Sequence, residues 1–442
     1  MNNKYLNAAI TRKSSPLIYF TLPYIIISLL SLKTFYFRYL AFGLVIMFLI
    51  PFLVTNRKLM IKKKYFFLVL FIFLYIIIGF LYSDPLRIVK NISTYILSLS
   101  PFFVFDWVFS PARIRNRVKY AKVLLVTITP VLIYTIGITL YYLFGDPYIA
   151  RYMATYDPSI SIDSSLGIDV DSLPIAIGGG YDLIYGVILL PPIFLFLAKN
   201  VAKKTFEKVF YTFLAGFILY FIIKSGFATA FLLSITGCGF TLMIMKKYKI
   251  VGTISSYLAT SVILLIILNK SLLEEIIFNI ISILPSDSII SVRLSEIIPA
   301  LYMNNQTSSF SGRIQRLEMT VNAFLEHYAI GVGYLGRFEY MAVESIIGFH
   351  TEWLDILAQY GLIMGIPFLL FIGITLIELI KLFKGTTMHS IVKLMVIMII
   401  AVGFLNPVLH TSLFIIALIF IPSLLTIKLE DGNQKIFGVK NN

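Results

Sequence analysis

Apolar positions along the chain gather into long unbroken runs, separated by polar stretches that are mostly short. Crossing about 30 Å of hydrocarbon takes roughly 20 residues of helix. Runs approaching this length cover residues 16–32, 37–54, 65–82, 91–109, 118–144, 181–198, 209–223, 226–245, 250–269, 355–380, 389–404 and 409–427. They are longer than barrel strands and lack the alternation of a barrel strand. The pattern predicts an all-α, polytopic membrane protein of about twelve transmembrane helices, forming a single integral membrane domain over 1–442. Arg12 and Lys13 stand before the first run as in a signal peptide. No small-residue cleavage site follows, so a retained anchor is expected.

Two polar stretches are long. Residues 145–180 hold Asp146, Arg151, Asp157, Asp163, Asp169, Asp171 and the run Gly178-Gly179-Gly180. Residues 270–353 form the larger one, and it is expected to be helical in part. Ile290, Leu294, Ile297 and Leu301 recur at helical spacing within 289–301, which predicts a helix lying in the membrane interface. Ile314, Leu317, Val321 and Phe324 share one face of a second predicted helix over 311–327. Long structured loops in a compact protein usually carry function, so the chemistry is expected on this side of the membrane.

Composition agrees with the pattern. Hydrophobic residues are 59% and charged residues 13% of the chain, against about 45–50% and about 25% in a soluble domain. Mean hydropathy is +0.90. A soluble fold and a disordered chain are excluded, and a single cysteine excludes a disulfide scaffold. Cys238 falls inside an apolar run, where a packed side chain is expected.

The net charge of +15 first suggests nucleic acid. Topology accounts for it better. With an N-terminus inside, the basic clusters all fall on inner connections: Arg57, Lys58, Lys62, Lys63 and Lys64; Arg113, Arg115, Arg117 and Lys119; Lys203, Lys204 and Lys208; Lys246, Lys247 and Lys249. Most acids fall outside. This is the positive-inside asymmetry, with both termini cytoplasmic and both long loops extracytoplasmic. No nucleic-acid role is expected.

Candidate chemistry concentrates in the larger loop. Arg313 and Arg316 are neighbours near the start of the second predicted helix. A helix start attracts anions, and two guanidiniums can clamp a phosphate in bidentate fashion. Two ordinary surface arginines have the same spacing, and spacing leaves both readings open. Gly331-Val332-Gly333-Tyr334-Leu335-Gly336 has the form G-x-G-x-x-G but follows a helix, so a tight turn is expected and dinucleotide binding is rejected. Asp169-Val170-Asp171 is expected to be a solvated acidic loop. His350 stands at the outer mouth of the tenth run, where a helix N-terminus favours the neutral imidazole that a general base requires. A structural interfacial histidine is the alternative. Glu352, Arg293 and Arg337 are secondary candidates. His327, His389 and His410 complete no metal-ligand set with His350, so no metal site is expected. Lys224 lies in a short outer turn, Lys224-Ser225-Gly226, where it must snorkel or pair with an anion.

Several of these pieces occur in an order that resembles the O-antigen ligase/polymerase family of bacterial envelope polysaccharide assembly. The signature runs through Ser311-Gly312-Arg313, a helix to His327, Gly331-Val332-Gly333, then His350-Thr351-Glu352-Trp353-Leu354-Asp355-Ile356-Leu357 and Gly361-Leu362-Ile363. It covers about 311–370 directly, and the layout of spans extends the likeness to the whole chain. Thr351 stands where the family usually has Asn, and Met364 stands at an expected glycine. Lys224-Ser225-Gly226 replaces a family Ser-Arg-Gly turn, and lysine does not substitute for arginine in bidentate phosphate binding.

The resemblance implies an integral-membrane glycosyltransferase of the GT-C type in the bacterial cytoplasmic (inner) membrane. It implies a polyprenyl-diphosphate-linked oligosaccharide as donor and a glycan or lipid A core as acceptor. Membrane lipid, a chain-length regulator and a flippase are the further implied partners. No cofactor is implied. Arg313, Arg316 and Lys224 would bind the diphosphate, with Arg313 also acting in catalysis, and His350 would deprotonate the acceptor hydroxyl. Transfer is expected to be metal-independent and to invert the anomeric carbon, since there is one candidate base and no carboxylate pair. A polymerase of O-antigen, capsule or exopolysaccharide is the favoured reading, and a ligase acting on the finished glycan is the alternative. A lipid-linked-oligosaccharide transporter is the third. Against it, Asp106, Lys122, Asp182, Asp355 and Glu378 fall near the ends of runs, whereas transporters place ionisable residues at mid-membrane.

Overall fold

The computed structural model describes residues 63–82, 85–109, 116–145, 181–245, 270–283, 309–333, 347–409 and 412–431, with scattered helical positions in 22–29 and 43–47 and at 291 and 295. Every regular element among them is a helix. The predicted spans at 16–32, 37–54 and 250–269, the loop 145–180 and most of the interfacial helix at 289–301 lie largely or wholly outside the described residues.

Helix α1 spans Lys63–Tyr82, α2 Pro85–Phe109 and α3 Arg117–Gly145. Proline begins α2, a position where its missing N–H costs nothing. The run at 181–198 folds as two pieces, α4 (Tyr181–Val187) and α5 (Leu190–Asn200), with Pro191 and Pro192 in the first turn of the second. Helix α6 runs Thr205–Lys224, longer than its apolar stretch, and α7 runs Ala228–Ile244. Gly226 between them adopts φ 71°, the left-handed conformation common after a helix end.

The larger loop contains α8 (Lys270–Ile283), which its hydropathy pattern did not announce, and α9 (Ser309–Glu326), which it did. Helix α10 is Glu352–Leu382 and α11 is His389–Leu405. The last span is α12 (Leu413–Ile415), a π-helical stretch (Ile416–Phe420) and α13 (Ile421–Asp431) in succession.

Among the described residues, five segments are long and apolar enough to cross a membrane: Arg117–Tyr141, Leu183–Asn200, Thr205–Lys224, Glu352–Leu382 and Leu413–Glu430. Tyr95–Phe109, Thr229–Ile244 and His389–Leu405 are shorter apolar helices. Helix α10 packs along α1, α9 and α11, α5 packs on α6 and α7, and α13 packs on α3. One large apolar core joins them, with Trp107, Phe102, Phe368, Phe371 and Phe414 fully enclosed.

Lys64, a member of the first inner basic cluster in the sequence, is buried in the fold. Its ammonium is enclosed and pairs with Asp106 at 2.7 Å and Glu378 at 2.5 Å. Tyr65 donates to the other Asp106 oxygen at 2.5 Å. These contacts tie the start of α1 to the end of α2 and the end of α10. They also fix which ends lie together. Arg117 at the start of α3 donates to the Phe109 carbonyl at the end of α2, so α3 begins near this ion cluster. The far end of α3 and the start of α10 therefore both lie at the opposite end of the bundle.

Candidate functional site

At that opposite end, three backbone segments close on one another: the body of α9, the turn after it, and residues 347–361. Helix α10 is broken at Gly361, which takes φ 62° and ψ −171°. A broken helix strands peptide groups that the membrane cannot hydrate. Here the turn following α9 satisfies them. Leu362 N–H donates to the Tyr328 carbonyl at 2.8 Å and Ile363 N–H to Ala329 at 3.1 Å, while Val332 N–H donates to the Ala358 carbonyl at 2.9 Å.

Glycines make this approach possible. A Cβ on Gly361 would sit 2.3 Å from the Ala329 carbonyl oxygen. One on Gly331, itself at φ 80°, would sit 2.4 Å from the Gln359 oxygen, and one on Gly333 would sit 2.7 Å from the same atom. The Gly331-Val332-Gly333 stretch is a tight turn as expected. Its purpose in the fold is to lie backbone-to-backbone against the broken helix.

A second contact brings the arginine helix to the histidine. A Cβ on Gly348 would lie 2.2 Å from the Arg316 carbonyl oxygen, so the α9 backbone touches the chain two residues before His350. Thr320 locks this contact. Its hydroxyl lies 2.9 Å from Asp355 Oδ1 and accepts the Gly348 N–H at 3.0 Å. The other carboxylate oxygen of Asp355 accepts the Thr351 N–H at 2.8 Å, which caps α10. Ala323, Val332, Ile347 and Ala358 fill the space beneath as a small separate core.

The face of α9 that packs is thus Thr320 and Ala323. The predicted apolar face does not pack as a unit: Leu317 and Val321 are each 38% exposed. Small residues permit the close backbone approach that Gly348 requires, Phe324 packs against the small core, and Leu317 and Val321 are turned outward.

His350 is half-buried at the end of this assembly. The residue before it, Phe349, has φ 47°, the one non-glycine residue with positive φ among the described residues. Such a conformation costs on the order of 1–3 kcal/mol and persists only where its surroundings impose it. His350 Nδ1 lies 3.1 Å from the Phe349 carbonyl oxygen. A carbonyl only accepts, so this contact is made by an Nδ1–H, and in the neutral tautomer that makes it Nε2 is the acceptor nitrogen.

Glu352 and Trp353 anchor the other flank. The Glu352 carboxylate is buried and accepts the N–H groups of Val408 and Leu409 at 2.6 and 2.7 Å. Trp353 Nε1 donates to the Ile400 carbonyl at 2.8 Å, and its ring occupies the space a side chain on Gly403 would need.

The structure brings together the helix bearing Arg313 and Arg316 and the segment bearing His350. Arg316 is exposed, and Arg313 lies about one turn earlier on α9. Arg293 and Arg337 lie outside the described residues. Lys224 lies at the same end of the bundle, but its ammonium sits over the rings of Phe144 at 5.8 Å and Tyr220 at 5.9 Å. Among the described residues no cluster of three or more His, Cys, Asp or Glu side chains could hold a metal.

Sequence reasoning missed Thr320, Gly348 and Asp355 as parts of this site. Asp355 carried a signal, an acid in the first turn of a long apolar run, which is the pattern of a helix start. Thr320 carried none.

Fold and site together define a helical membrane protein whose polar machinery is held at one end of the bundle by an interrupted helix. Residues 212–369, about a third of the chain, match the protein-family profile described as O-antigen ligase, which supports membership of the O-antigen ligase/polymerase family. The profile indicates a function of that type, and the family it describes implies a lipid-linked glycan donor and a glycan acceptor in general terms. The family and the apolar helices together point to the bacterial inner membrane. No curated protein and no solved structure matches the chain.

Proposed function

We propose that this protein is a polysaccharide polymerase that joins polyprenyl-diphosphate-linked oligosaccharide units on the outer face of the cytoplasmic membrane. The observation that carries the reading is the lock of Thr320, Gly348 and Asp355, which holds the arginine helix against the His350 segment. Glycosyl transfer from a diphosphate needs both kinds of group at once. In the proposed step an acceptor hydroxyl oxygen attacks C1 of the donor sugar. The bond from C1 to the diphosphate oxygen breaks, and the hydroxyl proton passes to His350 Nε2. Arg313 and Arg316 receive the negative charge that develops on the diphosphate, in place of a metal. One displacement with one base inverts C1.

The orientation follows from charge. The end bearing Lys64 is cytoplasmic, both termini lie on that side, and the site faces outward.

The test is a gel of purified protein incubated with its lipid-linked repeat unit alone. A ladder of lengthened glycans, abolished in His350→Ala and Arg313→Ala and unaffected by EDTA, is the expected result. Transfer that begins only when lipid A core is added identifies a ligase instead. No reaction with either acceptor refutes the transferase reading.

A further inference from the structure

Helix α9 presents a packed face and an open side that divides by polarity along its length. Thr320 and Ala323 pack against the 347–358 segment. On the open side, Leu317, Val321 and Leu325 fall within about 80° of one another at about 100° per residue. Glu318, Asn322, Gln315 and Glu326 fill about the next 80°, and all four are exposed. Leu325 is 63% exposed, and Tyr328, which continues the apolar strip past the helix end, is 60% exposed. A helix side covered by water alone gives no reason for leucine and valine to be segregated from glutamate.

The neighbouring helix says what covers the strip. None of residues 352–361 is exposed, whereas Leu362, Ile363, Ile366 and Leu370 all are. These four lie on the rod of α10 beyond the break, 362–382. At 1.5 Å per residue that rod is about 31 Å long, enough to cross about 30 Å of hydrocarbon by itself. Its open apolar side is therefore the side that faces lipid, and the break at Gly361 stands at the edge of the hydrocarbon nearest the site. There the N–H groups of Leu362 and Ile363 donate to the carbonyls of Tyr328 and Ala329. The strip on α9 ends where the lipid-facing side of the rod begins, and the two are continuous.

We propose that α9 lies along the outer surface of the membrane, with Leu317, Val321, Leu325 and Tyr328 sunk among the acyl chains of the outer leaflet and Gln315, Glu318, Asn322 and Glu326 in water. Helices in this pose bury their apolar face about 5–10 Å into the boundary between headgroups and acyl chains, and tyrosine is enriched at that boundary. A protein partner fits less well. From Leu317 to Tyr328 the strip runs about 17 Å and is one side chain wide, whereas a stable interface buries about 800 Å² on each partner. The proposal goes beyond the transfer chemistry and does not depend on it. Its consequence for the site is depth: the lock of Thr320, Gly348 and Asp355 sits at the level of the lipid headgroups, and lipid borders the helix that bears Arg316.

The experiment uses the full chain with Cys238→Ala, reconstituted in phospholipid nanodiscs, with one nitroxide at a time on Val321→Cys, Leu325→Cys, Asn322→Cys or Glu326→Cys. Collisions of the nitroxide with oxygen, which concentrates in hydrocarbon, are compared with collisions with a water-soluble nickel chelate. The expected result is an oxygen-to-nickel ratio several-fold higher at 321 and 325 than at 322 and 326. Leu317→Cys replaces either apolar position whose variant fails to reconstitute. Nickel access at 321 and 325 equal to that at 322 and 326 puts the whole helix in water and overturns the proposal. Poor access of both reagents at 321 and 325 shows that protein covers the strip, and overturns it equally.

Discussion

Replacing Gly361 with alanine tests whether the interrupted helix is held open by backbone contact. Gly361 occupies a region of backbone space that is essentially restricted to glycine. Placing an L-residue there costs on the order of 1–3 kcal/mol. The added methyl also has no room, since it would lie 2.3 Å from the Ala329 oxygen, 2.4 Å from its carbon and 2.5 Å from Ile330 N. All three are backbone atoms, so relief requires the 328–332 turn to withdraw by about 1 Å to reach ordinary contact distance. That withdrawal opens the bonds from Leu362 and Ile363 to Tyr328 and Ala329. A buried donor left without a partner costs about 1–3 kcal/mol. Together these make Gly361→Ala destabilising by about 4 kcal/mol or more. Gly373 is the internal control, lying on the same helix with nothing within 4 Å of its would-be Cβ. Gly373→Ala is expected to be neutral or to stabilise by about 0.5–1 kcal/mol. Equilibrium unfolding in SDS, followed by tryptophan fluorescence, measures both. If Gly361→Ala unfolds at the same denaturant level as Gly373→Ala and keeps full activity, the backbone clasp is not what holds the site.

Three further outcomes follow from the contacts described. Lys64→Met leaves Asp106 and Glu378 without their shared cation and should destabilise by about 3 kcal/mol; the double variant Lys64→Met/Asp106→Asn should recover part of that loss in the same unfolding assay, and no recovery would show that the pairing contributes little. Asp355→Asn keeps one acceptor for Thr351 and should lower the single-turnover transfer rate while leaving donor affinity near normal, whereas an equal fall in affinity would place Asp355 in donor binding. Glu352→Ala strands the N–H groups of Val408 and Leu409 and should cost about 2–4 kcal/mol of stability, read by thermal unfolding in detergent; an unchanged midpoint would mean that water reaches those groups.

The spans were legible because burial in a bilayer imposes one requirement, a run of apolar residues, that any single segment displays by itself. The run at 355–380 predicted α10, and those at 389–404 and 409–427 predicted the separate final helices. The break at Gly361 was not legible, because apolar residues continue through it and the cause lies in a turn some thirty residues earlier. The apolar face drawn on α9 failed for a related reason. Periodicity reports which residues share a face, and not whether protein or lipid covers it. Lys64 stood in a basic cluster, and only the fold shows that two distant carboxylates enclose it. Of the candidate site, Arg313, Arg316 and His350 were singled out through their ordered resemblance to a known signature, and the fold brings the helix and the segment that carry them together. Thr320 and Asp355, 35 positions apart, were not, since a hydroxyl–carboxylate contact at that separation leaves no local pattern.

The interruption in α10 also has a mechanical consequence. The first turns of that helix, from Glu352 to Tyr360, are fastened to α9, to the turn after it and to the 406–409 segment, whereas the remainder runs on through the apolar core. Bilayers of different thickness tilt their helices by different amounts. A continuous rod would carry such tilt straight to its tip. Gly361 sets the two pieces of α10 on separate axes, and Leu362 and Ile363 tie the top of the lower rod to the same turn that holds the upper piece, so the segment bearing His350 is anchored from both sides of the break.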